Sequence, residues 1–186
     1  MNAAKTLSGK QIAFLVAPEG TEQIELTEPW QAVKKAGGTP HLVSTTGGRV
    51  QAYHHLDKAD TFPVDATVAS VYVDSYDGLV LPGGVASPDF LRTQPLAVAF
   101  TQAFFEAGKP VAAICHASWT LIEAGVLSGR RMTSWPSLQT DLRNAGATWV
   151  DEEVVVDHSG DSTLVTSRRP DDLKAFNVKM LEAFAG

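Results

Sequence analysis

Five short apolar runs punctuate the chain, at residues 12–17, 41–44, 78–81, 111–114 and 164–167. None shows the polar alternation of a half-exposed strand, so they predict strands of a sheet covered on both faces. Between them, apolar positions recur at intervals of three and four, the period of a helix packed by one face. Ile24, Trp30 and Val33 share such a stripe, with Pro29 predicting a break or restart near Thr27. Leu96, Ala99, Phe100, Ala103 and Phe104 form the next. Leu121, Ile122 and Ala124 are closed by Gly125, and Leu138, Leu142 and Ala145 by Gly146. Leu173, Phe176, Met180, Leu181 and Phe184 make the last stripe. Strands alternating with helices predict an α/β fold: a mostly parallel sheet with helices on both faces. Gly37-Gly38 and Gly108 read as helix ends. Gly47-Gly48 predicts a tight hairpin turn, and with it an antiparallel ribbon near residues 44–55. A second hairpin is predicted between 154–157 and 164–167, through His158-Ser159-Gly160-Asp161.

Composition narrows the class. A length of 186 residues suits one domain, residues 1–186, with a full core. A net charge of −6, with no Lys/Arg cluster beyond short pairs, argues against a nucleic-acid partner. The pairs Arg130-Arg131 and Arg168-Arg169 read as solvated turn residues. No apolar run approaches the roughly 20 residues that span a bilayer, so no membrane partner is expected. Residues 1–8 contain no apolar core of a secretory signal. Together with the single cysteine, this points to a reducing, cytoplasmic setting. The five histidines lack metal-ligand spacing, so no metal is expected. Pro82-Gly83-Gly84 is not a phosphate loop, because no Gly-Lys-Ser/Thr follows, and nothing calls for a cofactor.

The candidate chemistry centres on Cys115. The strand-like run Val111-Ala112-Ala113-Ile114 ends abruptly in Cys115-His116, and a helix-like stretch follows. Helix N-termini favour negative charge, so a thiol there is expected to ionise more easily than a free one. Ala113 and Ala117 supply the small neighbours that a tight nucleophile elbow demands. The competing reading is a buried packing cysteine. His116 reads either as a general base or as a turn cap, and its backbone N–H can donate to a developing oxyanion. Pro82-Gly83-Gly84 closes the strand at 78–81, and the glycines let the backbone approach a ligand or simply turn. Glu25, between Ile24 and Leu26, has two readings. A buried carboxyl would hold its proton and donate to a thiolate. A solvated helix-start glutamate is what the local sequence favours. Asp89, in Ser87-Pro88-Asp89-Phe90, either orients His116 or is an ordinary first-turn aspartate. Sites in open α/β sheets collect at the carboxyl ends of strands. Residues 18–25, Pro82-Gly83-Gly84, Cys115-His116 and Ser134-Trp135-Pro136 all fall there.

Several separated segments together resemble the ThiJ/PfpI superfamily. They are Ile24-Glu25-Leu26, Leu79-Val80-Leu81-Pro82-Gly83-Gly84, Ala112-Ala113-Ile114-Cys115-His116 and Thr166-Ser167-Arg168-Arg169-Pro170-Asp171-Asp172-Leu173. The runs at 124–131 and 144–151 resemble its branch of PfpI-type intracellular proteases and bacterial general stress proteins. The resemblance implies a flavodoxin-like three-layer sandwich of the class I glutamine amidotransferase type. It implies Cys115 as nucleophile, Glu25 as the carboxyl beside the thiol, and Gly84 and His116 as oxyanion N–H donors. It also implies an acid paired with His116 from a neighbouring subunit. Asp89 stands at that place, where a family example carries glutamate; with Asp89 in that role the site exists only in a homodimer or higher homo-oligomer. The implied activity is a cysteine hydrolase of peptides or of glycated and aldehyde-modified substrates, deglycase- or glyoxalase-like. The alternative is a non-enzymatic redox sensor or holdase chaperone acting through oxidation of Cys115. A glutaminase subunit would need a His-x-Glu pair after the cysteine, and the chain has none there.

Overall fold

In chain order the elements are β1 (Gln11–Val16), β2 (Glu19–Glu22), α1 (Gln23–Lys35), β3 (Thr39–Ser44), β4 (Arg49–His54), β5 (Asp57–Pro63), β6 (Ala66–Thr67) and β7 (Gly78–Leu81). Then come α2 (Ala86–Leu91), α3 (Pro95–Glu106), β8 (Val111–Ile114), α4 (Ser118–Glu123), β9 (Arg131–Met132), α5 (Gln139–Asn144), β10 (Thr148–Trp149), β11 (Val154–Asp157), β12 (Leu164–Ser167) and α6 (Leu173–Ala185). This computed structural model describes residues 6–186, so part of the reading of residues 1–8 lies outside the described residues.

The seven-stranded sheet has the order β11-β12-β8-β7-β1-β3-β6. All its pairings are parallel except β11 with β12. The core follows from the period-2 alternation of strands, applied twice. Ala13 and Leu15 of β1, Leu79 and Leu81 of β7, and Val111 and Ala113 of β8 face α3, α4 and α5 through Phe104, Leu121 and Leu142. Ile12, Phe14, Val16, Val80, Ala112 and Ile114 face the other way, against Leu26 and Val33 of α1 and Phe176, Met180 and Phe184 of α6. The result is the three-layer α/β sandwich, with both faces of the sheet dry.

Most strand expectations hold, three of them residue for residue at 78–81, 111–114 and 164–167. The second hairpin also forms, with Val154 opposite Ser167 and Asp157 opposite Leu164. Four details need correction. Helix α1 does not break at Pro29 but runs through it, packed on α6 and the sheet. Its inner row is Glu25, Pro29 and Val33, spaced by four, whereas Ile24 and, on α3, Leu96 lie outside. Gly47-Gly48 does not turn a hairpin, because β3 pairs within the main sheet. The antiparallel ribbon is instead β4 with β5, turning at His55-Leu56, where His55 has φ 57°. This ribbon joins β2 in a separate three-stranded sheet. Finally, Arg130 and Arg168 are not solvated turn residues. Arg130 Nη1 donates to Asp157 Oδ1 at 3.0 Å and to the Ser162 carbonyl at 2.9 Å, both buried. Arg168 bridges Asp151 at 2.7 Å and Asp172 at 2.9 Å.

Candidate active site

Cys115 follows directly on β8 and has φ 64°, in the left-handed region. A side chain there is strained, and strain of this kind persists only where the surroundings hold it. Those surroundings are small and tight. Ala113 and Ala117 are buried on either side, and the Trp135 amide donates to the Cys115 carbonyl at 3.1 Å. The elbow presents Sγ at the carboxyl end of the sheet, 6% of the residue remaining exposed.

The turn after β7 closes against it. A Cβ on Gly83 would lie 2.6 Å from the Cys115 Cβ and 2.8 Å from the Ile114 carbonyl, and would strike the Glu25 carboxyl. Only glycine lets the three groups converge. Gly84, with φ +86°, lies against the backbone of Gly20 and Glu22 in the same way. The Gly83 carbonyl accepts from the Glu22 amide and from Thr21 Oγ1, each at 3.2 Å. These bonds dock the turn on the junction of β2 and α1.

Glu25 is fully buried. It occupies the third position of α1, from which a glutamate commonly reaches back to the amide of the helix N-cap. Here the N-cap is Glu22, and its amide is taken by Gly83. Glu25 is thereby free to point at the sulfur. Its carboxyl oxygens make no hydrogen bond of good geometry, while the Cys115 thiol and the Gly83 and Gly84 amides lie within reach. Burial, and then the charge of Glu22, push Glu25 up to about 8. The solvated helix-start reading is therefore overturned.

His116 Nδ1 lies 3.1 Å from Cys115 Sγ. Its ring is stacked on Trp135 at 5.4 Å and tilted against Trp119 at 5.2 Å, and this burial lowers it to about 4. Burial, and then the Glu25 charge whenever it is present, push the Cys115 thiol up, against the pull of the Gly84 and His116 amides. Burial thus opposes the ionisation that the helix start favours in the sequence reading. Asp89 does not join the group within one chain. It is exposed on α2, and its side chain has no hydrogen-bond or ion-pair partner among the described residues. All four strand-end segments meet at the site, Ser134-Trp135-Pro136 through the Trp135 contacts. Trp119 and Glu22 went unread in the sequence. The signal for Glu22 was its spacing of three from Glu25.

The fold, the strained cysteine after a parallel strand and the paired glycines define an α/β protein with a nucleophile elbow. The sequence matches the DJ-1/PfpI family over residues 10–183, and the chain belongs to that family. Protein/nucleic acid deglycase 2 of Escherichia coli K12 is 41% identical over 172 residues, covering 92% of this chain and 96% of its own. General stress protein 18 of Bacillus subtilis is 42% identical over 173 residues, covering 93% and 96%. The crystal structure of Drosophila melanogaster DJ-1beta superposes with a TM-score of 0.83 at 30% identity, covering 95% of this chain and 91% of its own. Among the described residues no helix is long and apolar enough to cross a membrane.

Proposed function

We propose that the protein, one such domain over its whole length, is a Cys115-dependent hydrolase that releases amines from carbonyl-derived adducts on proteins or nucleotides. The observation that carries this reading is the left-handed Cys115, held between the buried carboxyl of Glu25 and the Gly84 and His116 amides. Two titratable groups flank one sulfur and are driven apart by their surroundings, which sorts them into acid and base. Near neutral pH, His116 is unprotonated and Glu25 carries its proton. His116 Nδ1 accepts the thiol proton as Sγ bonds to the adduct carbon. Charge gathering on the adjacent oxygen is met by the amides of Gly84 and His116. Glu25 gives its proton to the amine nitrogen as the carbon–nitrogen bond breaks. The resulting hemithioacetal either collapses, its carbon–sulfur bond breaking to release the aldehyde, or, once its carbon-bound proton has moved to the neighbouring carbonyl carbon, becomes a thioester that water hydrolyses to free the sulfur. The same groups serve a peptide bond. The deglycase named among its relatives favours the adduct.

In this reading the enzyme is a cytoplasmic homo-oligomer, and Asp89 of a second copy supplies the carboxylate that His116 lacks in the single chain. The test is amine release from methylglyoxal-modified acetyl-lysine and guanosine, alongside cleavage of an unmodified peptide. Cys115→Ser should lower release at least about a thousandfold with the fold intact, as loss of a nucleophile does in other hydrolases. Equal rates for the two proteins would overturn the reading.

A further inference from the structure

Behind the carboxyl that faces Cys115 stands a second one. Glu22 is buried, one helical turn before Glu25. Its side chain does not cap α1 but turns to the tip of the β4–β5 ribbon. There Oε2 accepts the His55 amide at 2.9 Å and lies 3.8 Å from His55 Nδ1. Next to it, Gln23 and Asp60 exchange two hydrogen bonds of 2.8 Å. The ribbon is thus tied to the start of α1 at two adjacent points.

The geometry points to Glu22 as a positioning residue for the Glu25–Cys115 pair, its carboxylate pinned by the hairpin tip so that a fixed negative charge stays beside Glu25. This rests on Glu25 acting on Cys115 as proposed above. Carboxylates one turn apart resist joint ionisation. Glu22 has a backbone donor and the nearby His55 ring, while Glu25 is enclosed without a well-formed hydrogen bond. Of the two, Glu25, the carboxyl that faces the sulfur, is therefore the one that holds its proton. Cys115 faces Glu25 from the elbow, Gly83 and Gly84 offer only amides from the β7 turn, and Glu22 is the charged group on its own helix start. Glu22 in turn faces His55, whereas Glu19 of the same strand accepts from the Tyr53 hydroxyl at 3.3 Å.

Glu22→Gln keeps an oxygen to accept the His55 amide and removes only the charge. The readout is the pH dependence of Cys115 alkylation by iodoacetamide, with the infrared band of the protonated Glu25 carboxyl followed in parallel. The limb that Glu25→Gln abolishes should move to lower pH by about one unit in Glu22→Gln. His55→Lys, at an exposed hairpin tip, is the second variant should Glu22→Gln not fold. It sets a permanent cation beside Glu22 and should move the limb in the same direction by less. A limb present in the wild type and unmoved in the folded variants overturns the inference alone. A wild-type profile without a limb that Glu25→Gln abolishes overturns the role of Glu25, and the inference with it.

Discussion

Glu25 holds a proton where an exposed glutamate would have lost it, and this affects stability as well as chemistry. Its value rises from 4.5 to about 8 on folding, mainly through burial and then the Glu22 charge. Between those values the native state binds more protons than the unfolded chain, so stability falls as pH rises from about 4.5 to about 8. Glu25→Gln removes that slope. Urea unfolding at pH 5 and pH 8.5 should show the variant gaining roughly 3–5 kcal/mol on the wild type at the higher pH. Parallel curves for the two proteins would refute the linkage. Amine release in the same variant should fall by about a hundredfold or more, as expected for loss of a proton donor. Cys115 and the Gly83-Gly84 turn were legible in the sequence because a strand that stops at cysteine or at paired glycines leaves a local mark. Glu25 was legible only through family resemblance. Its burial comes from sharing a helix row with Pro29 and Val33, and a glutamate among helix-start residues looks solvated until that row is placed against the sheet.

At the scale of elements, the central strands could be read because both faces are dry and no polar residue interrupts them. The edge elements could not. β5 is largely exposed and polar, and β6, β9 and β10 span two residues each, so their pairing depends on neighbours and not on pattern. Pro29 misled for a related reason: local rules charge a proline with breaking a helix, but packing along α1 holds it together. Arg130 shows the same limit for charge. Burial pushes Asp157 up, but hydrogen bonds from Ser159, the Arg131 amide and the charge of Arg130 outweigh it and hold the carboxyl below its usual range. The pair therefore fastens the β11–β12 hairpin to β9 until strong acid protonates Asp157. Arg130→Ala would leave the buried Asp157 without its cation. Denaturant unfolding at pH 7 should show a loss of about 3–5 kcal/mol. A change below about 1 kcal/mol would mean the pair is merely surface-like.

For the whole molecule, the carboxyl end of the sheet gathers segments from residues 18–25, 82–84, 115–116 and 134–136 into one site, leaving Asp89 on the outside. If Asp89 completes the site across an interface, Cys115→Ser and Asp89→Asn should each be inactive alone and complement each other when refolded together. A random mixture of dimers should recover about a quarter of wild-type activity, because half the dimers carry one intact site of two. No recovery, with mixed dimers confirmed by native mass spectrometry, would place Asp89 outside the reaction. The sequence by itself determined the alternation of strands and helices, the sandwich that follows from it, and the cysteine at a strand end. These depend on which residues prefer water and on short-range geometry. Only the tertiary structure decided that Glu25 lies against the sulfur, that Glu22 stands behind it on the hairpin tip, and that burial opposes the helix start at the thiol. Those properties come from desolvation and from charges brought close by distant segments, and no local pattern carries them.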